Sequence, residues 1–322
     1  MQASITLQAL IEEKIEAVRF PANPANLYAP LNYFITLGGK RTRPLLTLLG
    51  CDLFGKPGES AVNAAIAVEL FHNFTLIHDD IMDEAPLRRG MSTVHTKWNE
   101  NIAILSGDVL FVKAFEFLSN NDVRFLPQLI AVFTRTAAEV CEGQQMDMDF
   151  ESRQDVTIEE YIEMIRLKTS VLLGAALEMG AIIAEASEED KRLLYEFGMN
   201  VGIAFQLKDD ILDLYADPDK FGKQVGGDIL SNKKTFLLLT AEQNANSSQR
   251  SELKKIMDEF AGEEKIEAAK NLFDELGIQE LAMDRMKDYY AAAKTAMDKI
   301  SVPESAKQEL LGIADYLMNR EV

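Results

Sequence analysis

The reading turns on Phe71-His-Asn-Phe-Thr-Leu-Ile-His-Asp-Asp-Ile-Met-Asp83 and its echo Phe205-Gln-Leu-Lys-Asp-Asp-Ile-Leu-Asp213, whose aspartate triads lie 130 residues apart. In D-D-x-x-D the first and last aspartates are i and i+4, so a helix places them on one face, one turn apart, with the second beside them. Each triad follows an apolar run, which predicts that both sit on helices. Set among Ile77, Ile81, Leu207, Ile211 and Leu212, three carboxylates would repel one another and be poorly solvated unless a cation neutralised them. Oxygen-only donors without His or Cys suit Mg²⁺, which keeps waters and completes its shell from substrate phosphates. A single D-D-x-x-D is more often a solvated acidic turn. Two copies in apolar settings favour a metal site.

Working outward, the 322-residue chain carries 33 Lys+Arg against 52 Asp+Glu, a formal charge of −19. With 47% hydrophobic and 26% charged residues it has the composition of a globular protein with a substantial core. Such an acid excess argues against a nucleic-acid partner, which needs a basic face to displace counterions. Any positive charge for an anionic ligand must therefore be local. Two cysteines, Cys51 and Cys141, build neither a disulfide scaffold nor a metal-ligand spacing, and a reducing cytoplasm is the expected compartment. No secretory leader is expected from the N-terminus. The most apolar stretch, Val171 to Ala184, is short for a membrane span and carries Glu178, so no span is expected.

Helix signals run along most of the chain. Ser60 precedes the run Ala61 to Phe71, Thr157 and Glu160 form a capping box, and Ser187 opens an acidic first turn. Gly38-Gly39, Gly55 to Gly58, Asp217-Pro218, Phe221 to Gly227 and Asn244 to Ser248 read as loops. No alternating run is long enough to build a sheet. The expectation is an all-α protein.

Cations stand where a diphosphate would need them. Gly38-Gly-Lys-Arg-Thr-Arg-Pro44 offers two glycines for close backbone approach and Lys40, Arg41 and Arg43 before a proline-initiated helix. Arg88 and Arg89 follow the first triad, and guanidinium forks well onto diphosphate oxygens, although adjacent arginines in an acidic protein are usually surface ion-pair partners. Lys168-Thr169, Lys223 and Lys233-Lys234-Thr235 are further candidates, each by itself more often a solvated lysine.

In order and spacing, GGKRTRP, DDIMD with RR, GQQMD, KT, FQLKDDILD, GKQVGGD and NKKT resemble the trans-isoprenyl diphosphate synthases, the head-to-tail prenyltransferases, from about Asn32 to about Leu239. The resemblance implies one domain over residues 1–322, an all-α bundle around a deep central cavity, normally a homodimer. It implies isopentenyl diphosphate and an allylic diphosphate as substrates and three Mg²⁺ per active site, held by Asp79, Asp80 and Asp83 with Asp209 and Asp213. Arg88, Lys168, Lys223 and Lys233 match allylic-diphosphate contacts; Lys40, Arg43, His72 and Arg89 match isopentenyl-diphosphate contacts. Phe205 and Gln206 line the reaction centre, Gly143, Gln144 and Asp147 form the G-Q-x-x-D segment, and Asp210 completes the second motif. The catalytic set implied is Lys168, Thr169 and Gln206 with Asp79, Asp80 and Asp209.

By the same resemblance, ionisation of the allylic C–O bond leaves a diphosphate anion and a delocalised cation. The double bond of isopentenyl diphosphate attacks that cation, and a proton then leaves to the departing diphosphate. Phe74, five residues before Asp79 and roughly 7.5 Å deeper along a helix, matches the aromatic floor that stops elongation, with Phe71 behind it. Thr75 stands where the strictest short-chain members have a second bulky residue. The product expected is C20, with C15 next. A terpene cyclase would carry an N-D-x-x-S-x-x-x-E motif in place of Asp209 to Asp213, and a non-catalytic partner subunit typically lacks one aspartate motif; this chain has both.

Overall fold

The computed structural model describes residues 2–216 and 225–319. Among them the protein is all-α, as expected, apart from one two-residue hairpin, Leu87–Arg88 (β1) paired antiparallel with Met91–Ser92 (β2). The N-terminal half runs α1 (Gln2–Glu16), α2 (Ala25–Thr36), α3 (Thr42–Asp52), α4 (Val62–Met82), α5 (Val94–Lys97), α6 (Glu100–Ser119) and α7 (Leu126–Ser152). There follow α8 (Ile158–Ile165), a π-helical turn over Arg166–Ser170, α9 (Val171–Ile183) and α10 (Glu188–Tyr215). The remainder comprises α11 (Gly227–Leu230), α12 (Phe236–Asn244), α13 (Ser247–Glu259), α14 (Gly262–Glu275), α15 (Ile278–Lys299) and α16 (Glu304–Asn319).

Local signals explain most boundaries. Thr157 and Glu160 form the reciprocal capping box that starts α8, Ser187 Oγ accepts from Asp190 N at 3.1 Å to start α10, and Asn246 with Gln249 caps α13. Ser60 does not cap α4. Residues Gly58–Ala61 form a 3₁₀ turn in which Ser60 N bonds Pro57 O, so α4 begins at Val62 without a side-chain cap. Asp217-Pro218 and the start of the Phe221 to Gly227 loop lie outside the described residues.

The chain divides into two compact units, each discontinuous in sequence. The first comprises residues 1–134, 175–194 and 301–310; the second comprises 135–174, 195–300 and 311–322. In the first, α4 packs on α3 and α6, and α3 meets α9 at two glycines. A Cβ on Gly50 would stand 2.5 Å from Leu177 O, and one on Gly180 2.2 Å from Thr47 O, so any side chain would force the helices apart. Gly58–Met82 is long and apolar enough to cross a membrane, yet it buries Glu69, Asn73 and Asp80 among its core contacts. Such polar burial marks a core helix of this unit. In the second unit the π turn is clasped by α7 and α10. A Cβ on Gly143 would lie 2.2 Å from Lys168 N, and one on Gly202 2.7 Å from Ser170 Cα.

Candidate active site

In the first unit, the leading triad forms the end of α4. Asp79 and Asp80 occupy its last turn, and Asp83 caps it, with Asp83 N donating to Asp79 O at 2.8 Å. The two outer aspartates are thus one turn apart, as the spacing requires. Asp80 is a different case. It is buried, and Arg88 grips it: Nε lies 2.9 Å from each carboxylate oxygen and Nη2 2.7 Å from Oδ1. Expected as a metal ligand, Asp80 in this structure spends both oxygens on Arg88, the residue expected on the allylic diphosphate.

The hairpin explains how Arg88 and Arg89 diverge. Its turn residues Arg89 and Gly90 both have positive φ, 54° and 75°, the backbone that a two-residue hairpin of right-handed twist demands. Arginine rarely adopts this conformation, and its strain is placed at a site residue. Arg88 turns to Asp80, whereas the Arg89 guanidinium lies against Gly39, where a Cβ would stand 2.8 Å from Nη2. Gly39 therefore makes the room that Arg89 occupies.

The basic loop sorts its cations by backbone conformation. Arg41 adopts the left-handed region, φ 47°, and turns inward to form a buried ion pair with Glu69 while Nη2 donates to Ile35 O at 3.0 Å. Lys40 stays exposed. Arg43 Nη1 approaches His72 Nε2 at 3.2 Å, and Arg43 Nε is buried with no hydrogen-bond partner. Burial pulls Arg43 down to about 10 against the pull of Glu69. His72 is held well below the usual histidine range, first by burial and then by Arg43, Arg89, Arg88 and Arg41. A neutral His72 accepts from Arg43 at Nε2 and keeps its proton on Nδ1. Four guanidinium groups here meet two carboxylates, Glu69 and Asp80, so the cluster carries two positive charges in excess. That surplus suits a polyanion.

Toward the start of α4, Phe74 stacks on Phe111 with ring centroids 5.1 Å apart, and Phe71 lies 5.7 Å from Phe74. Thr75 Oγ1 bonds back to His72 O at 2.8 Å, inside its own helix.

In the second unit, Lys168 sits on the π turn, a deviation often found at functional sites, and its Nζ donates to Asp147 Oδ2 at 2.6 Å. This accounts for G-Q-x-x-D. Gly143 admits the turn against α7, and Asp147, one helical turn on, receives the lysine. Thr169, beside it, is partly buried. The second triad lies at the end of α10, with Asp209 and Asp213 partly exposed and Asp210 buried. Asp210 accepts from Tyr161 Oη, from Phe236 N at 3.2 Å and from Gln206 Nε2 at 3.4 Å. Burial pushes its carboxyl up to about 7. Asp210 thereby positions Gln206, which with partly buried Phe205 lies one turn earlier. Asp213 Oδ2 accepts from Asp228 N at 3.0 Å and is pushed up to about 6, first by burial and then by the Asp228 charge. Asp228 is itself raised by burial and by Asp147, with Lys233 opposing. Lys233 is exposed; Lys223 lies outside the described residues.

Among the described residues, no three His, Cys, Asp or Glu side chains already converge on one point as a closed metal site. The donors on offer are nonetheless all carboxylate oxygens, and Asp213 lies beside a second carboxylate, Asp228. This chemistry fits a hard cation that draws the rest of its shell from water and phosphate. The sequence reading missed Glu69, Tyr161 and Asp228. Glu69 had a signal, being the only charge in the run Val62 to Phe71, and Asp228 closes the G-K-Q-V-G-G-D motif; Tyr161 had none.

The model of the polyprenyl synthetase family matches residues 24–276. The chain is 42% identical over 323 residues to a protein named geranylgeranyl diphosphate synthase from Methanosarcina mazei, covering 98% of this chain and 95% of that one. It is 40% identical over 315 residues to one named geranylgeranyl pyrophosphate synthase from Geoglobus acetivorans, covering 97% and 96%. A crystal structure of a geranylgeranyl pyrophosphate synthase superposes with a TM-score of 0.93 at 45% identity, covering 99% of each chain.

Proposed function

This chain belongs to the polyprenyl synthetase family, and from that premise we propose that it condenses isopentenyl diphosphate with an allylic diphosphate, head to tail, to an all-trans C20 diphosphate. It is a short-chain prenyltransferase. The observation that carries the substrate class is the cluster of Arg41, Arg43, Arg88 and Arg89 around neutral His72, a surplus of cations built into an acidic protein. Arg43, Arg89, His72 and Lys40 are assigned to isopentenyl diphosphate; Arg88, Lys168, Lys223 and Lys233 to the allylic diphosphate.

Asp79, Asp83, Asp209 and Asp213 would hold Mg²⁺, three ions with substrate bound, while Asp80 acts through Arg88. Bound there, Mg²⁺ supplies the positive charge that stabilises the leaving diphosphate. The chain's own residues do the rest. Lys168, aimed by Asp147, and Arg88, aimed by Asp80, are each assigned to neutralising the leaving diphosphate with donors fixed before reaction. Thr169 and Gln206, the latter held by Asp210, turn oxygen dipoles toward the allylic carbons without attacking them. Aromatic walls exclude water that would quench the cation.

Residues 1–322 are read as one domain, because α7, α9 and α16 each run from one compact unit into the other. A homodimer is favoured by the outer face of α6, where Leu105 and Val112, two turns apart, are 58% and 63% exposed. A reducing cytoplasm agrees with two free cysteines.

Turnover assayed with isopentenyl diphosphate, each allylic starter and Mg²⁺ tests the reaction class. Asp79→Ala and Asp209→Ala should each lose orders of magnitude in rate while circular dichroism stays helical. A near-native rate in either variant, with metal dependence unchanged, would reject the two-motif metal assignment.

A further inference from the structure

Behind Phe74 lies more than one ring. Phe111 of α6 touches four other phenylalanines: it stacks on Phe74 at 5.1 Å and 25°, stacks on Phe133 of α7 at 6.2 Å and 17°, and meets Phe71 at 5.8 Å and Phe115 at 5.3 Å. The three stacked rings form a pile in the order Phe74, Phe111, Phe133. Burial divides them. Phe71 and Phe133 are 1% and 2% exposed, whereas Phe74 and Phe111 each keep accessible surface. Phe111 thus touches four aromatics and, like Phe74 and unlike Phe71 and Phe133, still keeps accessible surface.

The register of α4 on α6 is fixed one turn away. His78 Nε2 lies 3.1 Å from Ile104 O and covers Gly107 so closely that a Cβ there would stand 2.4 Å from Nε2. His78 and Phe74 are one turn apart on α4, as are Gly107 and Phe111 on α6, so the helices meet antiparallel in two successive rungs. The rung at Gly107 leaves no slack for the rung at Phe111 to slide. His78 also packs on Phe74 at 4.7 Å.

We propose that Phe111 is a second length-determining residue: the growing chain meets a wall made jointly by Phe74 and Phe111, and Phe111 still closes the path when the Phe74 ring is absent. This deepens the reading that elongation ends at this part of α4. The ligand is the ω-end of a prenyl chain, an apolar tail that recognises aromatic faces by contact area alone. Phe71 and Phe133 act as backing, holding Phe111 in place.

The test compares Phe111→Leu, Phe111→Trp and Phe74→Ala in the full chain, incubated with isopentenyl diphosphate, the C15 allylic diphosphate and Mg²⁺, with products separated by chain length. Leucine keeps the site apolar and removes the depth of the ring, so the variant stays folded. The share of product beyond C20 should rise by about tenfold in Phe111→Leu, the low end of what a few buried carbons discriminate, and Phe111→Trp should shift product toward shorter chains. An unchanged distribution in both Phe111 variants overturns the proposal. Longer products from Phe74→Ala alone would leave the Phe74 reading standing and remove Phe111 from it. Longer products from Phe111→Leu alone would support Phe111 and remove Phe74. No change in any variant would refute both.

Discussion

His72 shows what a single side chain contributes in this site. Its folded-state proton affinity is lowered by burial and by four arginines, so the unfolded chain binds a proton that the folded chain refuses. Stability linked to His72 is therefore complete above about pH 6.5, the ordinary histidine value, and is lost as pH falls below it, by about 1.4 kcal/mol per unit. Urea unfolding at pH 7.5 and 5.5 should show His72→Gln gaining on the parent at the lower pH; an equal pH response in both would mean that His72 is protonated in the fold. Glu69 is the second residue-scale case. Removing its charge by Glu69→Gln leaves Arg41 buried without its partner and should cost about 3 to 5 kcal/mol, whereas Arg41→Met with Glu69→Gln recovers much of the loss. Thermal melts of the single and double variants decide this. Legibility stops here for a definite reason. Residue type alone offered Lys40, Arg41 and Arg43 as equivalent cations; the resemblance set Arg41 apart from the other two, and the left-handed backbone at Arg41, with its turn inward to Glu69, is the physical reason.

At the scale of elements, periodicity and caps were readable, and motif placement on helix ends followed from them. The triads fall on the last turns of α4 and α10 because i, i+4 spacing and apolar flanks leave little choice. The Ser60 cap failed because a 3₁₀ turn at Gly58–Ala61 absorbs the serine before α4 starts, and the two-residue hairpin is too short to show a β pattern. The π turn at Lys168 is equally silent in sequence, since nothing in Arg-Leu-Lys-Thr-Ser announces it; Gly143 is its only trace. That glycine can be tested. Gly143→Ala places a methyl 2.2 Å from Lys168 N, so the turn must shift and Lys168 must leave its bond to Asp147. We expect the KM for the allylic diphosphate to rise by roughly tenfold or more, equivalent to about 1.5 to 3 kcal/mol of charge-assisted bonding, with a smaller change for isopentenyl diphosphate. Equal changes for both substrates would separate Gly143 from Lys168. By the same logic, Arg89→Ala should weaken isopentenyl diphosphate and Arg88→Ala the allylic substrate, each read as a KM split.

Over the whole molecule, an acidic chain of net −19 binds two polyanions by concentrating its cations. In the first unit, arginines from the Gly38 to Pro44 loop and from the hairpin gather around His72, Glu69 and Asp80; in the second, Lys168 meets Asp147 and Lys233 acts on Asp213 and Asp228. Composition argued against a nucleic-acid partner and said nothing of this sorting, which depends on contacts between residues dozens of positions apart. The central claim is that these parts make a C20 prenyl diphosphate and stop. The most direct measurement is the product length from isopentenyl diphosphate and the C15 allylic diphosphate with Mg²⁺, dephosphorylated and resolved by chromatography, with a chelated control. The account predicts a dominant C20 alcohol that vanishes on chelation. A dominant product of another chain length, a cyclic hydrocarbon formed without isopentenyl diphosphate, or elongation that survives chelation would contradict it.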